Sequence, residues 1–197
     1  MNNREIYRPK VNLVFAGMGI VICILFMWSS FYEGGSASEI TSSFVALFVL
    51  ICIYIFLIRP KIIFSDEGIV ITNPLEEFTI GWADVIDLDN KWALTIETKD
   101  FTVSSWVATA SGRYQSRRIH HTEIKGLGID SGGSIRSADS PKSDSGATAY
   151  RAKVRLKRFQ DVGNFQSLTT ERKRSSRPLW LAGVALVAAI ANNILGH

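Results

Sequence analysis

The sequence predicts a membrane protein with three transmembrane helices and a small cytoplasmic antiparallel β-domain. Three apolar segments, residues 11–32, 40–58 and 178–195, contain no charged side chain and predict the helices. Short β-branched and aromatic runs separated by turn residues fill residues 59–106 and predict the β-domain. Lys and Arg flank each apolar segment on one side, which predicts a single orientation in the membrane.

The first two apolar segments are long enough to cross a membrane. An α-helix rises about 1.5 Å per residue, so crossing the hydrocarbon core takes roughly 20 apolar residues. The third segment is marginal, because Asn192 and Asn193 near its end need an interfacial position or a hydrogen-bonding partner. The alternative for each segment is a core helix of a soluble domain. The first segment exceeds the roughly 7–15 apolar residues of a signal peptide, so we expect a retained anchor.

The positions of the cations predict the orientation, since Lys and Arg favour the cytoplasmic side. The 33–39 connection has no cation and carries Glu33 and Glu39. We therefore expect a plasma-membrane protein with residues 1–10 and 59–177 in the cytoplasm, and with the 33–39 hairpin and the C-terminus outside. The cations that support this are Arg4, Arg8 and Lys10 before the first span, Arg59 and Lys61 after the second, and Arg172, Lys173, Arg174 and Arg177 before the third.

Charge is concentrated next to the third span. Residues 151–177 hold nine Lys or Arg residues against Asp161 and Glu171. Such a stretch is attracted to anionic headgroups by roughly 1 kcal/mol per cation near the surface. Nucleic acid is the other usual partner of a basic run, but tethering beside a span favours lipid and we expect no nucleic-acid partner. The predicted headgroup contacts are Arg172, Lys173, Arg174 and Arg177.

Turn residues divide the β-domain into strands. KIIFS and GIVIT flank Asp66-Glu67-Gly68, which predicts a hairpin, and Asn73-Pro74 predicts the end of the second strand. WALTIET and FTVSSW predict another hairpin across Lys99-Asp100. In WALTIET, Trp92, Leu94 and Ile96 fall on one face, the period of a half-buried strand.

Residues 59–106 resemble the small bacterial pleckstrin-homology-like (PH-like) domains of actinobacterial membrane proteins. The resemblance covers about a quarter of the chain and implies a curved antiparallel sheet, closed by a helix, on the cytoplasmic face. Eukaryotic relatives bind phosphoinositides through Lys and Arg of the first hairpin. Asp66 and Glu67 would instead repel a phosphorylated headgroup, so that activity is not expected here. The matching residues are Arg59-Pro60, Asp66-Glu67-Gly68, Asn73-Pro74 and Trp82-Ala83-Asp84-Val85.

The chain after the strands changes character. Residues 107–149 are rich in Ser, Gly and Asp and poor in apolar residues, which predicts a mobile or partner-ordered loop. Residues 150–177 form the basic C-terminal part of the cytoplasmic domain. Helix formers return between Ala147 and Phe159, where we expect a helix that closes the sheet, with a strand as the alternative.

The sequence does not predict an enzyme, a metal site or a cofactor. Cys23 and Cys52 lie inside spans and no Cys-x-x-Cys pair occurs. Neighbouring His120 and His121 do not project together onto one ion, whether in a helix or in a strand. No Gly-x-Ser-x-Gly elbow is present.

Small residues in the spans favour contact with other helices. The predicted packing positions are Gly17, Gly19, Ala185 and Ala189. We therefore expect an accessory, scaffold or assembly subunit of a larger membrane complex, with anionic lipids and integral membrane proteins as partners. The PH-like resemblance suggests respiratory assemblies as one class of partner. The alternative is a self-contained lipid-binding or sensory membrane module.

Overall fold

The computed structural model describes residues 4–33, 36–109, 144–163 and 166–195. The chain divides into two compact units. A β unit contains Met1–Pro9 and Lys61–Lys173, and a helical unit contains Lys10–Pro60 and Arg174–His197. Most of the predicted 107–149 loop, including His120 and His121, lies outside the described residues.

The described elements follow one another along the chain in the order β1 (Glu5–Tyr7), α1 (Lys10–Glu33), α2 (Ser36–Ile53), β2 (Lys61–Phe64), β3 (Gly68–Thr72), β4 (Glu76–Gly81), β5 (Val85–Asp89), β6 (Ala93–Thr98), β7 (Thr102–Thr109), α3 (Asp144–Val162), β8 (Glu171–Arg174) and α4 (Arg177–Leu195). A π-helical turn, Tyr54–Ile58, extends α2, and a short 3-10 helix, Trp82–Asp84, separates β4 from β5. The extension of α2 ends before Pro60, which has no backbone N–H to continue a helix.

Two of the described helices are long and apolar enough to cross a membrane, by length and composition. The qualifying stretches are Lys10–Ser30 of α1 and Glu39–Ile58 of α2 and its extension. The apolar part of α4, Leu179–Ile194, is shorter. Few side chains in the two long stretches are buried, whereas a core helix of a soluble domain buries one face. The prediction of apolar helices able to span a membrane is confirmed for α1 and α2.

Within the helical unit, α2 packs against both α1 and α4. Ser30 donates a hydrogen bond from its hydroxyl to the Ser42 hydroxyl, with 2.7 Å between the oxygens. The Asn192 side-chain amide donates to the Thr41 hydroxyl at 2.9 Å. Because Asn192 lies near the end of α4 and Thr41 near the start of α2, these two helices run antiparallel. Asn192, for which the sequence predicts an interfacial position or a hydrogen-bonding partner, is therefore hydrogen-bonded within the chain.

The described part of the β unit contains two sheets and one α-helix. The larger sheet has strand order β1-β2-β3-β4-β8 and the smaller has β5-β6-β7. Neighbours β1 to β4 pair antiparallel, as do β5 to β7, so the predicted antiparallel architecture is confirmed. Helix α3 packs against strands of both sheets, and the helix expected to close the domain therefore exists. The shared core includes Ile62, Phe64, Ile69, Ile71, Phe78, Ile80, Trp82, Leu94, Ile96, Val103, Ala149 and Ala152.

After α3 the chain returns to the larger sheet. Leu168 donates its backbone N–H to the Glu67 carbonyl at 3.0 Å, and the Thr170 hydroxyl accepts from the Gly81 N–H at 3.2 Å. A Cβ on Gly81 would collide with the Leu168 carbonyl oxygen and the Ser167 hydroxyl. Glycine at 81 is therefore required by the close approach of residues 167–168, which leads the chain into β8.

Two features differ from the sequence expectation. Trp92 lies in the turn before β6 and is 70% exposed, whereas Leu94 and Ile96 are fully buried, so Trp92 does not share their core face. Strands β1 and β8 were not predicted. Both are short, and each forms by pairing with a longer strand rather than through an apolar pattern of its own.

Candidate functional site

Strands β1, β2 and β8 are each connected to an apolar helix. In all three, the connection begins or ends at the same end of the larger sheet. Tyr7 at the end of β1 pairs with Ile62, and Lys61 at the start of β2 pairs with Thr72. Thr72 in turn pairs with Glu77 near the start of β4. We call this end, with Arg8, Lys61, the 73–76 turn and residues 172–174, the junction end.

The linkers at the junction end are short. Two residues separate β1 from α1, two separate the helical extension of α2 from β2, and two separate β8 from α4. The junction end is therefore defined by the register of the sheet and by chain connectivity together.

Cations outnumber carboxylates around these linkers. Arg172 is committed within the β unit, since its guanidinium lies 2.6 Å from a Glu76 carboxylate oxygen and 5.5 Å from the centre of the Phe78 ring. Lys173 and Arg174 are exposed and form no ion pair within the described part of the chain. Arg177 is the first residue of α4, and its side chain is outside the described part. The cations in and beside the linkers are Arg8, Lys10, Arg59, Lys61, Arg172, Lys173, Arg174 and Arg177, and the carboxylates are Glu76, Glu77 and Glu171.

The opposite end of the sheet holds a compact ion cluster. Arg155 of α3 lies 3.2 Å from Asp66 in the β2–β3 turn and 3.4 Å from Glu5 of β1. The side chains of Arg155 and Asp66 are only 12% and 10% exposed. Arg151 adds a second contact to Glu5 at 3.0 Å, and Arg158 a weaker one to Asp66 at 3.7 Å. Burial makes such charges dependent on their partners, so the cluster ties β1 and the β2–β3 turn to α3.

This cluster changes how the basic segment is interpreted. Arg151, Arg155 and Arg158 belong to the cation-rich run that the sequence associated with lipid, yet they neutralise carboxylates of the β unit. The acidic first hairpin, expected to repel a phosphorylated headgroup, has Asp66 paired with arginine. Within the described part of this run, Lys153, Lys157, Lys173 and Arg174 are exposed and form no ion pair, and of these Lys173 and Arg174 lie at the junction end.

Asn73 joins the two sheets at the junction end. Its side-chain amide donates to the Ser104 carbonyl, and its side-chain oxygen accepts from the backbone N–H of Trp106, both at 2.9 Å. The amide thus pairs with β7 as the peptide group of a neighbouring strand would. The Asn73-Pro74 motif predicts a turn, but no local sequence pattern indicates that the Asn73 side chain holds the two sheets together.

The predicted packing residues lie in two different settings. A Cβ on Gly19 would lie 2.7 Å from the Ile53 Cδ1 atom, so α1 approaches α2 closely there, whereas a Cβ on Gly17 would meet no atom within 4 Å. Ala185 and Ala189 are buried on one face of α4. Ala182 lies on the same face and was not singled out in the sequence, although its spacing of three residues from Ala185 indicates it.

The described residues offer no assembled metal site, since no three His, Cys, Asp or Glu side chains among them are grouped to hold an ion. The chain matches no family model, no curated protein and no solved structure. The junction end is therefore the best-defined candidate site, because β8 presents the exposed side chains of Lys173 and Arg174 there and the chain leaves the sheet for each apolar helix from that end.

Proposed function

We propose that the chain is a three-span protein of the plasma membrane and acts, without catalysis, as an accessory, scaffold or assembly subunit of a larger membrane complex. Its β unit is a PH-like domain on the cytoplasmic side. The exposed cations of the junction end bind anionic headgroups. The observation that carries the proposal is the pairing of β1 with β2.

The β1–β2 pairing constrains the topology. Strand β1 precedes the first apolar helix and β2 follows the second, yet Glu5–Tyr7 and Ile62–Phe64 are antiparallel partners in one sheet. A sheet forms on one side of a membrane only, because an open strand edge is not tolerated in lipid. This pairing supports a hairpin of two spans with both ends on the same side, and Lys and Arg on that side make it the cytoplasm.

The third span has separate support. Helix α4 has 19 residues, which extend roughly 28 Å and approach the thickness of the hydrocarbon core. It runs antiparallel to α2, and Asn192 near its end reaches Thr41 in the second turn of α2. A helix that follows α2 over this length and ends beside its start supports an external C-terminus.

The PH-like assignment is supported by architecture. Two antiparallel sheets share one core, and α3 packs its Ala149 and Ala152 into that core. The acidic first hairpin is occupied by Arg155, which leaves no free basic cradle at that turn. Headgroup binding is therefore assigned to Lys173 and Arg174 at the junction end.

Contact with protein partners is supported by the surface of the helical unit. Few described side chains of α1 and α2 are buried, and Gly17 lies on open helix surface where another helix can approach closely. In the β unit, the nearly buried charges of Arg155 and Asp66 pair with each other. Both features favour a role through contacts with partner proteins.

The assembly role is tested by extracting the tagged chain from native membranes in mild detergent and separating it by size. Migration in a larger, reproducible assembly with defined partners is expected. Migration of the chain alone would contradict the accessory role and favour the self-contained lipid-binding or sensory module.

Headgroup binding is tested by hydrogen exchange of residues 171–174 in nanodiscs of anionic or zwitterionic lipid. Exchange of the wild-type β8 amides should be slower in anionic lipid. The double variant K173E/R174E should remove that difference, whereas K99E, at an exposed lysine in the β6–β7 turn, should retain it. Equal exchange of the wild type in both lipids would contradict the assignment.

A further inference from the structure

Two exposed tryptophans lie toward the same end of the smaller sheet. Trp92, in the β5–β6 turn, is 70% exposed, and Trp106, in β7, is 53% exposed. Strands β6 and β7 are antiparallel, with Thr95 opposite Ser104. Trp92 precedes Thr95 along the chain, and Trp106 follows Ser104. Because the two strands run in opposite directions, both tryptophans lie toward the same end of the sheet from the Thr95–Ser104 pair.

Asn73 shows which end of the β unit this is. The backbone N–H of Trp106 donates to the Asn73 side-chain oxygen at 2.9 Å. Asn73 follows Thr72, the residue that pairs with Lys61 at the start of β2, and its own N–H donates to the Glu76 carbonyl at 2.8 Å. Trp106 therefore lies at the junction end, where the chain leaves the β unit for the apolar helices.

The chemistry of these side chains fits the interfacial layer of a membrane. Tryptophan is enriched there because its ring is apolar while its N–H bonds to headgroups. The Lys91 ammonium lies 6.0 Å from the centre of the Trp92 ring and adds a cation that an anionic headgroup attracts. Trp82 lies in the core, where its indole N–H donates to the Ser65 carbonyl at 3.0 Å.

We propose that Trp92 and Trp106 insert into the headgroup layer of the membrane and anchor the β unit there. The occupant of this surface is lipid rather than protein, because the helix linkers and the exposed cations Lys173 and Arg174 lie at the same junction end. The inference rests on the proposed insertion of α1 and α2, and it adds a binding surface that the cations alone do not provide.

Spin labels in full-length protein test the insertion. Cys23 and Cys52 are replaced by alanine, and single cysteines are introduced as W92C, W106C, D100C and I22C in separate proteins reconstituted into anionic liposomes. Asp100 lies in the exposed β6–β7 turn at the other end of the smaller sheet, and Ile22 is an exposed residue in the middle of α1. Collision with oxygen reports lipid and collision with a polar nickel complex reports water.

Labels at 92 and 106 should collide more with oxygen and less with nickel than the label at 100, and less with oxygen than the label at 22. If the label at 22 is in lipid while those at 92 and 106 match the label at 100, the inserted tryptophans are refuted and the membrane assignment stands. A label at 22 in water would instead overturn the proposed membrane function.

A second measurement leaves both tryptophans in place. In a W28F/W180F background, lipids brominated near the carbonyl should quench tryptophan fluorescence, and the further change W92F/W106F should remove that quenching because Trp82 is buried. Unquenched fluorescence in the W28F/W180F protein would overturn the inference.

Discussion

Arg155→Met should destabilise the β unit far more than the change of a neighbouring arginine. Methionine keeps most of the side-chain length and removes the charge. The variant loses the 3.2 Å contact to Asp66, in which both side chains are nearly buried, and the 3.4 Å contact to the more exposed Glu5. Removing one partner of a buried ion pair costs about 3–5 kcal/mol, because the other charge stays buried.

We expect a loss of about 3 kcal/mol in the free energy of unfolding of the β unit, at the lower end of that range. Asp66 keeps a long contact to Arg158 at 3.7 Å, whose side chain is 55% exposed, so its charge is not fully stranded. The matched control is Arg151→Met. Its pair with Glu5 is about two-fifths exposed on both sides, and such pairs contribute about 1 kcal/mol or less.

Hydrogen exchange of the full-length protein, read on peptides from β2, β3 and α3, measures the difference. Because about 1.4 kcal/mol corresponds to a factor of ten, R155M should lower protection about a hundredfold and R151M less than tenfold. Adding Asp66→Asn to R155M removes the stranded carboxylate and should restore part of the loss. Equal protection in R155M and R151M would refute the inference that the ion cluster holds β1 and the β2–β3 turn to α3.

Three further changes test other contacts. Gly81→Ala should cost about 1–3 kcal/mol in thermal unfolding of the β unit, since a Cβ collides with residues 167–168, and wild-type stability would contradict that packing. Gly19→Leu should separate α1 from α2 and lower the resistance of the helical unit to SDS, whereas Gly17→Leu, on open surface, should not; an equal effect of both would reject the packing face. Asn192→Ala should destabilise the helical unit by about 1 kcal/mol through loss of its bond to Thr41, while exposed Asn193→Ala should be neutral in the same SDS titration.

The features that the sequence predicted are those that depend on local pattern. Uninterrupted apolar length predicted α1 and α2, because lipid demands about 20 apolar residues whatever the partners are. The Asp66-Glu67-Gly68 turn predicted the β2–β3 hairpin, because the conformation of a tight turn is set by its own residues.

The features that the sequence missed depend on contacts between distant residues. The ion pairs of Arg155 join residues 89 and 150 positions apart, and nothing in a charge pattern indicates which carboxylate faces which arginine. Strand β8 has the sequence ERKR, which lacks any apolar alternation and becomes a strand only because it lies beside β4. The alternation of residues in WALTIET predicts Trp92 on the buried face of the strand, but Trp92 lies in the turn before β6 and is exposed.

The topology is tested most directly by labelling single cysteines at positions 4, 37, 99 and 197 with a membrane-impermeant maleimide, in right-side-out and inside-out vesicles. Positions 4 and 99 should react only in inside-out vesicles, because β1 shares a sheet with β2. Positions 37 and 197 should react only in right-side-out vesicles. Reaction of 4 and 99 on opposite sides, or of 197 on the same side as 99, would contradict the three-span arrangement.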